Sequence, residues 1–161
     1  MWIMNNTILG IDPGSERCGW GIIQKQGRNI KVLDYGCIVI PKGSDRLSLL
    51  KKELTVIIIK NNPDEATIEK IFFFKNKKTI IDVSQARGVA ILCLQENSIP
   101  YSEYTPLQIK QTTTGYGRAN KKQMIKMIKI IFNLPDSGFP DDAYDALAAA
   151  YTHICFKRLI I

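Results

Sequence analysis

Four acidic residues stand where their neighbours give little reason for an acid. Asp12 closes the apolar run Ile8-Leu9-Gly10-Ile11 and meets the turn Pro13-Gly14-Ser15. Glu69 interrupts Ala66-Thr67-Ile68-Glu69-Lys70-Ile71-Phe72, a segment with the look of a strand. Asp142 and Asp145 lie three apart at a helix start, next to Asp141 and just before Ala146-Leu147-Ala148-Ala149-Ala150. Each has a plain reading. Asp12 as a turn aspartate would bond the backbone two residues on; Glu69 would lie on a solvated strand face; the aspartates would cap a helix and complement its dipole. Capping does not account for three aspartates in five residues, because like charges on one helical face repel unless a cation sits between them. The alternative reading is a set of carboxylates gathered around metal.

The type of metal follows from what is missing. His153 is the one histidine, and eleven residues beyond Asp142 it stands about 16 Å further along a helix, so it reads as a packed or surface residue. Cys18, Cys37, Cys93 and Cys155 show no zinc-ligand spacing and read as reduced, mostly buried thiols. Oxygen-only ligands suit Mg²⁺ or Mn²⁺.

The cations are concentrated. The 161-residue chain has a net charge of +7, but Lys70 to Lys129 alone holds 11 Lys+Arg against 3 acids, while the rest is slightly acidic. Such a stretch draws phosphates to one surface, unless it is only a solvated lysine-rich face.

These residues need a scaffold. Ile8–Asp12, Gly19–Ile23 and Lys31–Ile40 read as three strands joined by short turns, an antiparallel meander. Ser44–Asn62 has helical periodicity and stops at Pro63. Ala66–Phe73 reads as a strand and Lys75–Lys78 as a connection. Thr79–Asn97 reads as a helix, apolar nearly all round between Val89 and Leu94, and needs cover on more than one side. Pro100–Tyr104 is a short strand, Pro106–Thr112 a short helix broken by Gly115-Tyr116-Gly117, and Lys121–Phe132 an amphipathic helix. A last helix covers Asp141 to Lys157, with Asp141 as its N-cap. With no repeat or linker, residues 1–161 read as one α/β domain.

Several of these segments, in this order, resemble the RuvC family of Holliday junction resolvases. They are Ile8 to Ser15 with Gly19-Trp20-Gly21, Ile68 to Phe72, Ser84-Gln85-Ala86-Arg87-Gly88-Val89-Ala90, and Tyr104-Thr105-Pro106. Lys110-Gln111-Thr112, Gly115-Tyr116-Gly117, Lys121, Asp142 to Ala148 and Thr152-His153 complete the set. The resemblance implies a ribonuclease H-like fold, a five-stranded mixed sheet flanked by helices. It implies that Asp12, Glu69, Asp142 and Asp145 are catalytic and hold two Mg²⁺, with Mn²⁺ an alternative. It further implies that a metal-activated water cuts four-way junction DNA by paired nicks with 5′-phosphate ends, in recombination and repair. Lys110 and Lys121 match basic positions near the scissile phosphate, and Phe72 matches an aromatic that stacks on a base. Arg87 either contacts phosphate or anchors its helix. Paired nicks imply a homodimer, for which the Thr79–Asn97 helix is the candidate surface. Partnership with a branch-migration motor is a family expectation with no docking motif visible here.

The rivals are few. A Gly-x-Asp-x-Gly turn also opens two-lobed actin-like ATPases, for which this chain is too short. Another ribonuclease H-like nuclease and a non-catalytic junction-binding module share most of the features above. No stretch reaches the ~18–20 apolar residues of a membrane span, and the reduced thiols suit the cytoplasm.

Overall fold

The computed structural model describes residues 6–71, 79–136 and 138–158. Along the chain run β1 (Asn6–Pro13), β2 (Arg17–Gln26), β3 (Asn29–Val39), α1 (Arg46–Asn61) and β4 (Glu65–Glu69). They are followed by α2 (Ile80–Glu96), β5 (Tyr101–Tyr104), α3 (Pro106–Thr114), α4 (Lys121–Phe132) and α5 (Asp141–Arg158). The strands form one mixed sheet in the order β3-β2-β1-β4-β5. β1, β2 and β3 are the expected antiparallel meander, while β4 pairs parallel with both β1 and β5.

Strand alternation divides the core. On β1, Leu9 and Ile11 point to the side covered by α1 and α2, where they join Ile22, Leu50, Leu54, Ile68, Ala90 and Leu94. Ile8 points the other way, into a cluster with Tyr144, Leu147, Ala148 and Ile154 of α5 and with Ile109, Met124 and Ile128 of α3 and α4. The same parity puts Asp12 on the α5 side with Ile8. On β4 it puts Ala66 and Ile68 opposite Thr67 and Glu69.

Helix ends follow local chemistry. Thr105 and Asn120 form capping boxes with Gln108 and Gln123 and start α3 and α4. Asn62 in the left-handed conformation, followed by Pro63, closes α1. Asp141 is the first helical residue of α5 rather than its N-cap, with Pro140 ahead of it.

Two further expectations change, for β4 and for the cysteines. β4 ends at Glu69, level with Tyr104 at the end of β5, and Lys70 and Ile71 are not strand; Phe72 and Phe73 lie outside the described residues. Within the single chain α2 is covered on one side, where Ala86, Ala90, Cys93 and Leu94 are buried, and Ile81 and Leu92, 67% and 44% exposed, lie on the face left open. Cys18 and Cys93 are buried free thiols, but Cys37 and Cys155 are only half-buried. Among the described residues, no helix is long and apolar enough to cross a membrane.

Candidate active site

The site forms where three elements end together. Antiparallel pairing sets Asp12 of β1 opposite Gly19 of β2, and parallel pairing sets Ile11 level with Ile68, so Asp12 and Glu69 come level at the ends of adjacent strands. The first turns of α5 cross over them. Its close approach depends on small residues. A Cβ on Gly19 would lie 1.9 Å from the carbonyl oxygen of Asp142, and one on Gly10 would lie 1.9 Å from that of Ala146. Gly10 is paired with Gly21, so two adjacent strands offer a side-chain-free bed to the alanine-rich face of α5.

That bed brings the carboxylates together. Asp12, Asp142 and Asp145 each offer an oxygen, all within 4.8 Å of one another. Glu69 is not in this tight group but lines the same cleft, of about 330 Å³, with Asp12, Asp142, Asp145, Lys70 and Lys121. Thr79, Ile80 and Val83 at the start of α2 form part of its wall.

The electrostatics are those of a site short of positive charge. Burial pushes the Asp12 carboxyl well above the usual carboxylate range, and the charges of Glu69, Asp145 and Asp142 push it further, against Lys121. Asp145 is also raised, first by burial, although Lys121 opposes the shift with a 2.9 Å ion pair. The Oδ1 atom of Asp145 is buried without a hydrogen-bond partner. An all-oxygen donor set with an orphaned, buried carboxylate oxygen fits a hard divalent cation.

The remaining expected residues take different places. Lys121, the first residue of α4, is half-exposed at the cleft edge, and Lys110 lines the adjoining hollow with Glu69, Lys121 and Asp145. Arg87 is ion-paired with Glu103 of β5, which ties α2 to the sheet edge; it is not among the residues lining the cleft. Phe72 lies outside the described residues. His153, read from sequence as packed or surface, is packed: Nδ1 lies 2.9 Å from the Tyr104 hydroxyl and Nε2 2.8 Å from Glu65. Sequence reasoning missed Arg17, 4.0 Å from Asp142, and the mechanical role of the glycine bed. The register of the first hairpin was the available signal for both, since it carries Arg17 and Gly19 back beside Asp12.

A mixed five-stranded sheet with acids on its central strand and the strand beside it, and on a helix crossing their ends, has the architecture of a ribonuclease H-like nuclease. The family model for crossover junction endodeoxyribonuclease RuvC matches residues 8–153, and the chain belongs to that family. The chain is 47% identical to the RuvC of Petrotoga mobilis over 155 residues, 94% of this chain and 95% of that one. It is 50% identical to the RuvC of Caldicellulosiruptor saccharolyticus over 158 residues, 96% and 95% of the two chains. Its fold superposes on the T. thermophilus RuvC solved with a Holliday junction substrate, with a TM-score of 0.87, 25% identity and 96% of each chain covered.

Proposed function

We propose that this chain is a Holliday junction resolvase, a divalent-metal-dependent endonuclease acting as one nuclease domain over residues 1–161. One observation carries the reading: Asp12, Asp142 and Asp145 bring carboxylate oxygens within 4.8 Å of one another, and one of these acids, Asp145, has a buried Oδ1 with no hydrogen-bond partner. Asp12, Asp142 and Asp145, with Glu69 beside them, are the residues that would hold Mg²⁺, two ions per site, or Mn²⁺. Bound there, such ions activate water and stabilise charge on both the attacking and the leaving oxygen of a phosphodiester, giving 5′-phosphate and 3′-hydroxyl ends.

The protein's own groups bind and orient the strand. Lys121 and Lys110 offer cations at the cleft edge, and Lys70 lines the cleft itself. Phe72 is assigned to stacking on a base near the crossover. Arg87, paired with Glu103, holds α2 against the sheet edge, which favours the anchoring role over direct contact with phosphate. Resolution requires two opposed nicks, and a C2 homodimer presents two such sites. The exposed face of α2 supports this, since Ile81, Gln85, Gly88, Leu92 and Gln95 recur at four- and three-residue steps as in a helix-pairing seam. Nothing lies within 4 Å of a Cβ on Gly88, so a second helix can approach there. The reading extends to a cytoplasmic location and to a branch-migration motor as a partner.

The test is a substrate panel of a labelled four-way junction, a matched duplex and an RNA–DNA hybrid, each with and without Mg²⁺. The expected result is metal-dependent nicking of the junction. Preference for the hybrid would instead favour another ribonuclease H-like nuclease, and binding without nicking a junction-binding module.

A further inference from the structure

The turn between α3 and α4 carries an aromatic ring that the fold does not use. Tyr116 is 58% exposed, and its ring has no aromatic or cationic partner among the described residues. An exposed ring on a loose loop would be unremarked, but this turn is firmly built. Gly115 adopts φ +75° and caps α3, its N–H donating to the Gln111 carbonyl at 2.9 Å, while the Gln111 side-chain amide donates to the Gly115 carbonyl at 2.9 Å. The Tyr116 N–H donates to Thr114 Oγ1 at 3.1 Å, and the Ala119 N–H donates to the Tyr116 carbonyl at 3.0 Å. Leu107, itself 63% exposed, packs so close to Gly117 that a Cβ there would lie 2.6 Å from its Cδ1. The turn is held from both sides while its ring faces water.

The surroundings say what the ring is offered to. Lys121, five residues on, reaches Asp145 at 2.9 Å, so the turn is next to the carboxylate cleft. Arg118, Lys122 and Lys126 are exposed at four-residue steps along one side of the turn and α4, and none has an ion-pair partner among the described residues. Most of the protein's other described cations are paired, including Arg46, Lys51, Lys60, Arg87 and Lys129. A fixed aromatic platform beside a row of free cations, at the lip of a phosphodiesterase cleft, has the composition of a single-strand nucleic-acid subsite.

Resting on the resolvase reading above, we propose that the α3–α4 turn is a nucleobase-binding subsite. The Tyr116 ring stacks on an unpaired or unstacked base of the strand being cut, and Arg118, Lys122 and Lys126 follow that strand's phosphates away from the cleft. The subsite is sequence-tolerant, because every base has a π-face, and it favours DNA whose stacking is already broken, as at a crossover, over intact duplex.

The test is a fluorescence-anisotropy titration of the full chain with a labelled four-way junction in Ca²⁺, at salt concentrations between 50 and 200 mM, for wild type and variants. Tyr116→Ala is expected to weaken binding about tenfold without changing the slope of log K against log salt, and Tyr116→Phe to bind as wild type. Lys122→Ala with Lys126→Ala is expected to reduce that slope by about 1–2. Thermal unfolding should be unchanged in Tyr116→Ala, because the ring buries little. Binding of Tyr116→Ala within twofold of wild type overturns the proposal, as does Tyr116→Phe binding as weakly as the alanine variant. If wild type does not prefer the junction to duplex at all, the resolvase reading itself fails and takes the subsite with it.

Discussion

Asp12 is, at the scale of one residue, a buried acid whose charge is set against folding. Its carboxyl is raised by burial and by three neighbouring acids, so in the metal-free protein its ionisation works against folding. A carboxyl with a raised folded-state pKa removes stability as pH climbs from its ordinary 3.8 towards the folded value. Asp12→Asn keeps the shape and removes the charge. It is expected to abolish nicking while raising the melting temperature of the metal-free protein at pH 7 by a few degrees, on the order of 1 kcal/mol, measurable by calorimetry. Glu65 is the opposite case. Burial favours its protonated form, but hydrogen bonds from Lys157, His153 and Asn6 outweigh this and hold it at about 2, below its ordinary 4.5. The stability it supplies is therefore present above pH ~4.5 and lost as pH falls towards 2. In urea titrations Glu65→Gln should be less stable than wild type by about 1–3 kcal/mol at pH 7, with the gap closing below pH 4.5. At this scale the sequence was informative in combination: each acid alone had a plain reading, and the four stood out together and through the family resemblance. Arg87 was left open, and its partner Glu103 could not be found without knowing that α2 lies against β5.

At the scale of elements, the packing of α5 on β1 and β2 sets the geometry of the site. The glycines beneath it are not turn glycines; they remove side chains where helix backbone comes closest. Gly19→Ala places a Cβ against the Asp142 carbonyl and must displace the first turn of α5 by about an ångström. Misplacement of that size costs on the order of 10²-fold in rate. Gly19→Ala is therefore expected to lose about that much nicking activity in single-turnover assays, while junction affinity stays within a few-fold. Element types and order were readable because periods of 2 and 3.6 are local signals. The end of β4 at Glu69 was not, since it falls level with the end of β5, a partner some thirty-five residues further on. For α2 the need for cover on more than one side was legible, but not which residues face the chain's own core and which the open side.

At the scale of the molecule, the excess charge between Lys70 and Lys129 divides into parts that composition could not separate. Arg87, Lys121 and Lys129 are paired internally, while Lys110, Arg118, Lys122 and Lys126 have no ion-pair partner among the described residues. The half-exposed Leu92 on the outer face of α2 bears on assembly. Leu92→Glu is expected to turn a dimer at micromolar concentration into a monomer by sedimentation, with little change in melting temperature. A wild-type monomer at that concentration would remove the two-site account.

The central claim, that the carboxylates at the ends of β1, β4 and α5 cut junction strands through bound metal, is tested most directly by mapping nicks on an end-labelled four-way junction with a homologous core. With Mg²⁺ the wild-type protein should produce paired nicks at symmetry-related positions in opposed strands, closable by ligase without end repair, and Asp12→Asn should produce none. Nicking that survives in Asp12→Asn, or its absence from the wild type with both Mg²⁺ and Mn²⁺, would contradict the account.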